Sequence, residues 1–175
     1  MNGQEKIEVT KLDVARRQLE TAIWLYFTGG DPVSIHTLAA AALESIRSSA
    51  KAKGVMNIRN MTDFVVKPKY RKMMHRKFKE TENFFKHGGS DESQEYSFNP
   101  QETDGVLLDG CLTYEGLNRT QTPIMKAFSW WFILNNPSVY NAQPEDEWFK
   151  TLTSTPLPTR KEYFDMARIV LRLNH

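Results

Sequence analysis

The sequence contains a single cysteine, Cys111, among 175 residues. One cysteine excludes an internal disulfide and a four-cysteine metal site, and such sparing use of cysteine suits a reducing compartment. Leu107, Leu108 and Leu112 lie close to Cys111 in the sequence. These apolar neighbours favour a small buried side chain over a reactive thiol.

Long hydrophobic runs are also missing. The longest strongly apolar stretch is 127–134, far shorter than the ~20 residues that cross a bilayer. The first residues, Met1 to Lys6, show no basic segment followed by an apolar run, so we expect no signal peptide. The sequence therefore predicts a cytoplasmic protein that does not act at a membrane.

Several motifs of known enzyme classes do not occur in the sequence. We find no glycine loop that would cradle a phosphate, no dinucleotide fingerprint and no strained turn around a nucleophilic serine. We therefore predict no cofactor. No segment alternates polar and apolar residues as a half-buried strand would, and 40% of the residues are hydrophobic. The sequence predicts an all-α helical bundle of about five to seven helices in one domain, residues 1–175.

Capping residues divide the chain into helices. Thr10 and Asp13 form a capping-box start for a helix that ends at Gly29-Gly30. Asp31 and Pro32 suit the N-cap and the first position of the next helix, which ends before Gly54. The helix predicted from about residue 99 onward contains glycines at 105 and 110, which weaken it. The later helices are predicted for residues 68–87, 99–117, 123–134, 144–152 and 159–171, with capping starts at Asn99 to Glu102 and at Thr159 with Glu162.

Charge is unevenly distributed although the net charge is only +2. From Arg47 to His87 there are twelve Lys/Arg and three Asp/Glu, a local excess of +9, whereas Asp91 to Asn118 contains seven acids and no Lys/Arg. This pattern is compatible with an electropositive face for phosphates, or with basic and acidic helices packed against each other. Within the basic segment we assign phosphate or RNA binding to Arg71, Lys72, Arg76, Lys79 and Lys86.

The most specific candidate site is the end of this basic helix, Glu82-Asn83-Phe84-Phe85-Lys86-His87. Asn83 and His87 are four residues apart, so a continuous helix places them on one face. An imidazole that titrates near neutral pH, an amide that can hold a phosphate and neighbouring cations suit general acid/base attack on a phosphodiester. The alternative is that His87 bonds the last helix carbonyls and Asn83 is merely exposed.

The segment Asn83 to His87, after an alanine-rich helix and before an acidic one, resembles the HEPN (higher eukaryotes and prokaryotes nucleotide-binding) superfamily. Many of its ribonuclease members carry Arg-Asn-x-x-x-His. The resemblance implies a bundle of four or five helices over residues 10–118, with the helices of 119–175 packed on it. It also implies a homodimer whose two motifs meet in one cleft.

The activity that the resemblance implies is metal-independent RNA cleavage by the ribose 2′-hydroxyl, within a toxin–antitoxin or phage-defence pair. Asn83 and His87 would be catalytic, and an antitoxin-like protein would be a partner. Glu82 occupies the position of the family's arginine, while Lys79 and Arg76 lie one and two turns before Asn83. The segments 31–39 and 82–87 also resemble a group of bacterial helical proteins to which no activity is attached. The alternative function is a non-catalytic helical module that binds an acidic partner surface.

His36 and the tryptophan-rich segments admit two interpretations each. His36 could join a metal or acid/base cluster whose other members would be Glu44, His75, Glu80 and His87. No two histidines have the spacing of a local chelating pair, so we favour a buried, hydrogen-bonded His36 that organises the bundle. The aromatic residues could stack on nucleic acid bases, but helical packing explains them better; they are Trp130, Trp131, Phe132, Trp148 and Phe149.

Overall fold

The computed structural model describes residues 6–54, 66–86, 93, 95–137 and 156–173, without the side chains of Met74 and Lys86. In these ranges the chain forms six α-helices and no sheet, which confirms the predicted all-α fold. We number them in chain order: α1 Lys11–Thr28, α2 Pro32–Ala52, α3 Pro68–Lys86, α4 Glu102–Asn118, α5 Pro123–Asn135 and α6 Arg160–Val170. The helix predicted for 144–152 lies outside the described residues.

The predicted caps are present at three helix starts. Thr10 and Asp13 form a capping box before α1, and Thr159 and Glu162 form a second one before α6. The Asp31 carboxylate accepts a hydrogen bond of 2.7 Å from the backbone N–H three residues further on. Each cap satisfies N–H groups that have no partner inside the helix.

The start of α4 combines a side-chain cap with a tight turn. The Asn99 side-chain oxygen accepts a hydrogen bond of 3.1 Å from the N–H of Gln101, whereas Gln101 itself makes no capping bond with its side chain. In the turn that follows, the N–H groups of Glu102 and Thr103 donate to the carbonyls of Asn99 and Pro100 at 3.0 and 3.1 Å. The first-turn donors are therefore satisfied by backbone rather than by a side chain.

Two glycines allow the close packing of the first helices. Gly29 has φ +78°, a left-handed conformation that ends α1 and lets α2 fold back along it. Helix α4 packs against both α1 and α2. At the crossing with α1, a Cβ on Gly110 would lie only 3.0 Å from a methyl group of Leu19. The core between these helices is built from fully buried side chains, among them Leu19, Ile23, Ile46, Leu107 and Phe128.

The last helices pack on α1 and on each other through aromatic side chains. Phe27 of α1 stacks on Phe164 of α6 with 4.6 Å between ring centroids. Trp131 and Phe132 of α5 are buried as predicted, whereas Trp130 is 50% exposed. The expectation that the aromatic residues of α5 all belong to the core is therefore wrong at Trp130, because neighbouring helices cover only part of the circumference of α5. Cys111 is fully buried as predicted, and burial raises the pKa of its thiol.

Among the six helices of the described ranges, none combines the length and the apolarity that a membrane crossing requires.

Candidate functional site

His36 lies in the first turns of α2 and is fully buried. Its Nδ1 is 2.9 Å from the hydroxyl oxygen of Thr103 on α4. The edges of two rings surround the imidazole, since Phe85 of α3 and Phe98 each lie 5.2 Å from it between centroids. His36 therefore joins α2, α3 and α4, which confirms the interpretation of a buried histidine that organises the bundle.

Burial favours the neutral form of the His36 ring. Removal from water lowers its pKa below the ordinary value of 6.5, and the negative charges of Glu102 and Glu82 oppose that shift only in part. The Nε2 atom is buried and has no hydrogen-bond partner among the described residues. A charged imidazole at this position would carry a second N–H donor without an acceptor. This cost and the removal from water both favour the neutral form.

A metal site at His36 would need further ligands. Of the cluster considered from the sequence, His87 lies outside the described residues. Among the residues that the structure does describe, no three His, Cys, Asp or Glu side chains are grouped so that they could hold a metal ion.

The last turns of α3 carry the predicted Asn83 and Glu82 on different faces. Asn83 is exposed, whereas Glu82 is partly buried and close enough to affect the pKa of His36. Phe84 stacks on Tyr96 at 4.8 Å. Because His87 is outside the described residues, its pairing with Asn83 stays a prediction. The structure shows that Glu82 is partly buried and does not lie on the exposed face that carries Asn83.

Five exposed residues of α3 fall on one side of the helix. They follow each other at intervals of three or four positions, and all are exposed: Lys69, Lys72, Arg76, Lys79 and Asn83. At 100° per residue they occupy an arc of about 80°, and at 1.5 Å per residue they extend over about 21 Å. We call this set the α3 basic face.

Of the five residues assigned to phosphate binding, Lys72, Arg76 and Lys79 lie on the α3 basic face. Arg71 does not, because it projects from another side of α3 and its Nε donates to the carbonyl of Val66 at 2.8 Å. The side chain of Lys86 is not described. The structure thus brings three of these cations together and separates Arg71 from them.

Both interpretations of the charge segregation are partly realised. Lys77 points away from the α3 basic face and lies 3.8 Å from Glu102 of α4, an ion pair between the basic and the acidic helix. Thr81 is fully buried beside this pair and donates to the Glu102 carboxylate at 2.8 Å. Helix α3 therefore docks on α4 with one side. The spacing of apolar residues along α3 would place Met73 on the buried side, but this residue is 52% exposed and lies at the rim of a cavity.

This cavity has a volume of about 770 Å³ and lies where α3, the first turn of α4 and the ends of α1, α5 and α6 converge. Its lining includes two acids and two cations, Glu102, Asp104, Lys77 and Arg160. Aromatic rings form much of the remaining wall, and they belong to Tyr26, Tyr70, Phe78, Trp131 and Phe132.

Tyr26 and Asp104 are the most perturbed groups of the cavity. Burial raises the pKa of Asp104 to about 6, although the positive charge of Arg160 and a hydrogen bond with Tyr26 lower it. Burial, together with the charge of Asp104, raises the pKa of the Tyr26 hydroxyl to about 12. The Trp131 indole donates to that hydroxyl at 3.1 Å, so its orientation is fixed. Perturbed groups in a concave site are candidates for function.

Sequence reasoning did not find this second site. Tyr26, Asp104, Trp131 and Arg160 come from four helices, and no local spacing relates them. The signal available in the sequence is weak. Asp104 is an acid in the first turn of a helix, where the attraction to the helix dipole explains its presence without a functional role.

Comparison of the chain with family models, with curated proteins and with solved structures gives no match, so the fold and the geometry above are the basis for any functional assignment.

Proposed function

We propose that the protein binds single-stranded RNA through the α3 basic face, and that Asn83 and His87 cleave the bound strand. The observation that carries the proposal is the alignment of four exposed cations and Asn83 on one side of α3. The resemblance to HEPN ribonucleases supplies the reaction class. The homodimer and the antitoxin-like partner that the resemblance implies are predictions of the same kind.

The cations of this face are available to a phosphate backbone. Within the described residues, Lys72 and Lys79 have no carboxylate at ion-pair distance, and Arg76 has only Glu80 at 3.6 Å. Both members of that pair are largely exposed, so the pair is weak. A row of solvated cations about 15 Å long, from Lys69 to Lys79, attracts phosphates without reading bases.

Asn83 lies on the α3 basic face, and this position supports the proposed cleavage. Lys79 lies one turn before Asn83 on the same face, where its charge can take over from the family's arginine. Glu82 lies on an adjacent side and is partly buried, so its carboxylate does not stand between Asn83 and a phosphate. In the proposed reaction the His87 imidazole accepts the proton of the 2′-hydroxyl, and the 2′-oxygen attacks the adjacent phosphorus. The bond from phosphorus to the 5′-oxygen then breaks, and the imidazolium returns the proton to that oxygen, which leaves a 2′,3′-cyclic phosphate and a 5′-hydroxyl.

Removing three of the four positive charges of the α3 basic face is expected to weaken RNA binding at least about tenfold at moderate salt. The variant is Lys72→Gln/Arg76→Gln/Lys79→Gln, and the probe is a fluorescent 20-nucleotide oligouridine. Because each lost phosphate contact reduces the salt dependence by about 0.7 for single strands, the slope of log K against log salt should fall by about 2. Fluorescence anisotropy over a series of salt concentrations measures both quantities.

A matched control removes the same charge elsewhere. Lys11, Arg17 and Lys126 are exposed and lie on α1 and α5, so their triple replacement by glutamine also lowers the net charge by three. This control should keep most of the affinity and nearly the whole salt slope. Equal losses in the two triple variants would show a general charge effect and reject the α3 basic face as the RNA site.

Cleavage is expected to depend on both Asn83 and His87. Loss of a general acid or base typically costs about 10²–10⁴-fold in rate, so His87→Ala should reduce the initial rate of RNA cleavage by that order. Asn83→Ala should reduce the rate by a smaller factor, because it removes an orienting amide rather than a proton carrier. Gel analysis of the products with and without added Mg²⁺ or EDTA provides the rate and tests the metal independence.

The outcomes of the cleavage assay separate catalysis from binding. Residual cleavage equal in the wild type and in both alanine variants would be due to a contaminating nuclease and would reject the enzymatic part. RNA binding with the steep salt dependence, but no cleavage, would leave an RNA-binding protein. A protein-interaction module is the second candidate, and the Lys77–Glu102 pair favours it because α3 already docks an acidic helix.

A further inference from the structure

The cavity described above has the size of a small-molecule site and does not include the α3 basic face. Its volume of about 770 Å³ lies within the range that holds ligands of drug size. Five aromatic rings in its wall supply apolar contact. The chemistry of a ligand must therefore be inferred from the polar groups that interrupt these rings.

The two cations of the cavity already have partners. Lys77 lies 3.8 Å from both Glu80 and Glu102 and is 44% exposed. Arg160 is exposed, its guanidinium covers the ring of Tyr26 at 4.2 Å, and it donates to the Tyr26 carbonyl at 3.2 Å. Neither cation is therefore a deep, unoccupied anion site.

Asp104 is the opposite case: it lies deeper, and the nearby charge of Arg160 and the hydrogen bond with Tyr26 offset the effect of its burial only in part. Within the described residues no lysine or arginine nitrogen forms an ion pair with it, and the raised pKa reflects its removal from water. A positively charged ligand would supply the missing partner, and it would recover part of the cost of keeping the carboxylate ionised.

The amides at the end of α5 add acceptors to the same cavity. The Asn135 Nδ2 donates to the Trp131 carbonyl at 2.9 Å, and the Asn136 Nδ2 donates to the Phe132 carbonyl at 3.0 Å. Because these NH₂ groups bind the helix, each side chain retains its carbonyl oxygen as an acceptor that no described residue uses. The polar groups left for a ligand are mainly acceptors, which calls for a ligand rich in donors.

We propose that this cavity binds an organic ammonium ion with an apolar body, its cation at Asp104 and its apolar part against the aromatic walls. Aromatic faces also attract a desolvated cation. This site is independent of RNA binding by α3, so either proposal can fail without the other.

The first test compares probes of similar shape and different charge. Phenethylamine and phenyltrimethylammonium carry a cation, 3-phenylpropan-1-ol is neutral, and 3-phenylpropanoate is an anion. Titration of the full chain, followed by ligand-observed NMR, should show that the cations bind at least tenfold more tightly than the alcohol and that the carboxylate binds most weakly. Equal affinity for cation and alcohol, a preference for the carboxylate, or binding of no probe would overturn the proposal.

The second test assigns the effect to Asp104. Asp104→Asn should remove the tenfold preference for the cation while leaving the affinity for the alcohol unchanged. Asp165 is exposed and paired only with Lys161 among the described residues, so Asp165→Asn deletes the same charge as a control and should bind like the wild type. An unchanged preference in Asp104→Asn, or an equal loss in Asp165→Asn, would place the cation elsewhere and overturn the assignment.

A third measurement needs no variant and therefore does not depend on Asp104→Asn folding. Phenyltrimethylammonium does not titrate, so its affinity relative to the alcohol should rise between pH 5 and pH 7.5 as Asp104 ionises. The groups that face or adjoin Asp104 are Tyr26, Arg160, Lys77, Glu102 and, behind Thr103, His36. Changes of cavity shape that these cause affect both probes and cancel in the ratio. A ratio independent of pH would contradict the role of Asp104.

Discussion

Replacing Arg47 by methionine is expected to lower the free energy of unfolding by about 3 kcal/mol, the lower end of what breaking a buried ion pair costs. The Arg47 guanidinium of α2 forms an ion pair with the Asp109 carboxylate of α4. The Asp109 side chain is fully inaccessible to solvent, whereas 34% of the Arg47 side chain is accessible. Because the Arg47 side chain is partly hydrated, the free-energy cost of breaking the pair is smaller than for two fully buried charges. The Asp109 carboxylate in the core, however, cannot regain hydration when it loses its guanidinium.

Urea unfolding of the wild type and Arg47→Met measures this loss. Methionine keeps the apolar length of the arginine stem, so the difference reports mainly the charge. The double variant Arg47→Met/Asp109→Asn should recover a large part of the stability because the buried carboxylate charge is then absent as well. Arg17→Met on the exposed side of α1 is the control, expected to stay within about 0.5 kcal/mol of the wild type. A loss at Arg47 as small as in that control would contradict the description of the pair as buried and essential.

Helix boundaries were the part of the fold that local residue patterns could predict. The capping boxes at Thr10 and Thr159 and the Asp31-Pro32 start each depend on a few neighbouring residues, and all three occur in the structure. At the start of α4 the Asn99 side chain accepts the N–H of Gln101, but the N–H groups of Glu102 and Thr103 bond to backbone carbonyls of a tight turn that the residue pattern did not predict. Local chemistry therefore predicts that a helix begins, and less often how its first N–H groups are satisfied.

Helix α3 shows what the residue pattern can predict and what it cannot. Periodicity along α3 is sufficient to place Lys72, Arg76 and Lys79 on the side of Asn83, since only helix geometry is involved. It does not tell which side of α3 docks on α4. That depends on tertiary partners, and it is Thr81 and Lys77 that bind Glu102. The proposed RNA binding depends on the exposure of the cations, and this exposure follows from the packing of α3 on α4 and not from the sequence pattern.

The cavity could not be predicted, because its chemistry arises from residues distant in sequence. Tyr26, Asp104 and Arg160 are separated by more than fifty positions from one another. The perturbed pKa of Asp104 results from burial among elements that the sequence does not place in space. The Arg47–Asp109 pair has the same origin. Interactions of this kind depend on the tertiary arrangement of helices whose existence, but not whose neighbours, can be predicted.

His36 and Asp104 are expected to give stability opposite dependences on pH. The folded state lowers the pKa of His36 below 6.5, so the stability that the neutral ring contributes is present above 6.5 and is lost as the pH falls through its folded pKa. The folded state raises the pKa of Asp104 from 3.8 to about 6, so its contribution is full below 3.8 and is lost as the pH rises through 6. Between pH 7 and pH 5 the two effects partly cancel in the wild type.

Single replacements should separate the two contributions. Relative to the wild type, Asp104→Asn should lose stability more steeply as the pH falls from 7 to 5, while His36→Gln should lose it less steeply or gain. The slope of each difference can reach about 1.4 kcal/mol per pH unit, the limit for one proton. Urea unfolding at half-unit steps from pH 5 to pH 8 determines both slopes. Slopes of the same sign, or no change of slope in either variant, would contradict the assigned protonation states.

At pH 8 the same unfolding experiment tests whether the ionised Asp104 of the cavity destabilises the protein. Asp104→Asn is expected to be more stable than the wild type there, because the folded protein must otherwise keep a poorly hydrated carboxylate ionised. A residue that lowers stability in the empty protein is typical of a binding site, where the unfavourable charge is compensated by a ligand. An organic ammonium ion should therefore raise the midpoint of unfolding of the wild type and leave that of Asp104→Asn almost unchanged.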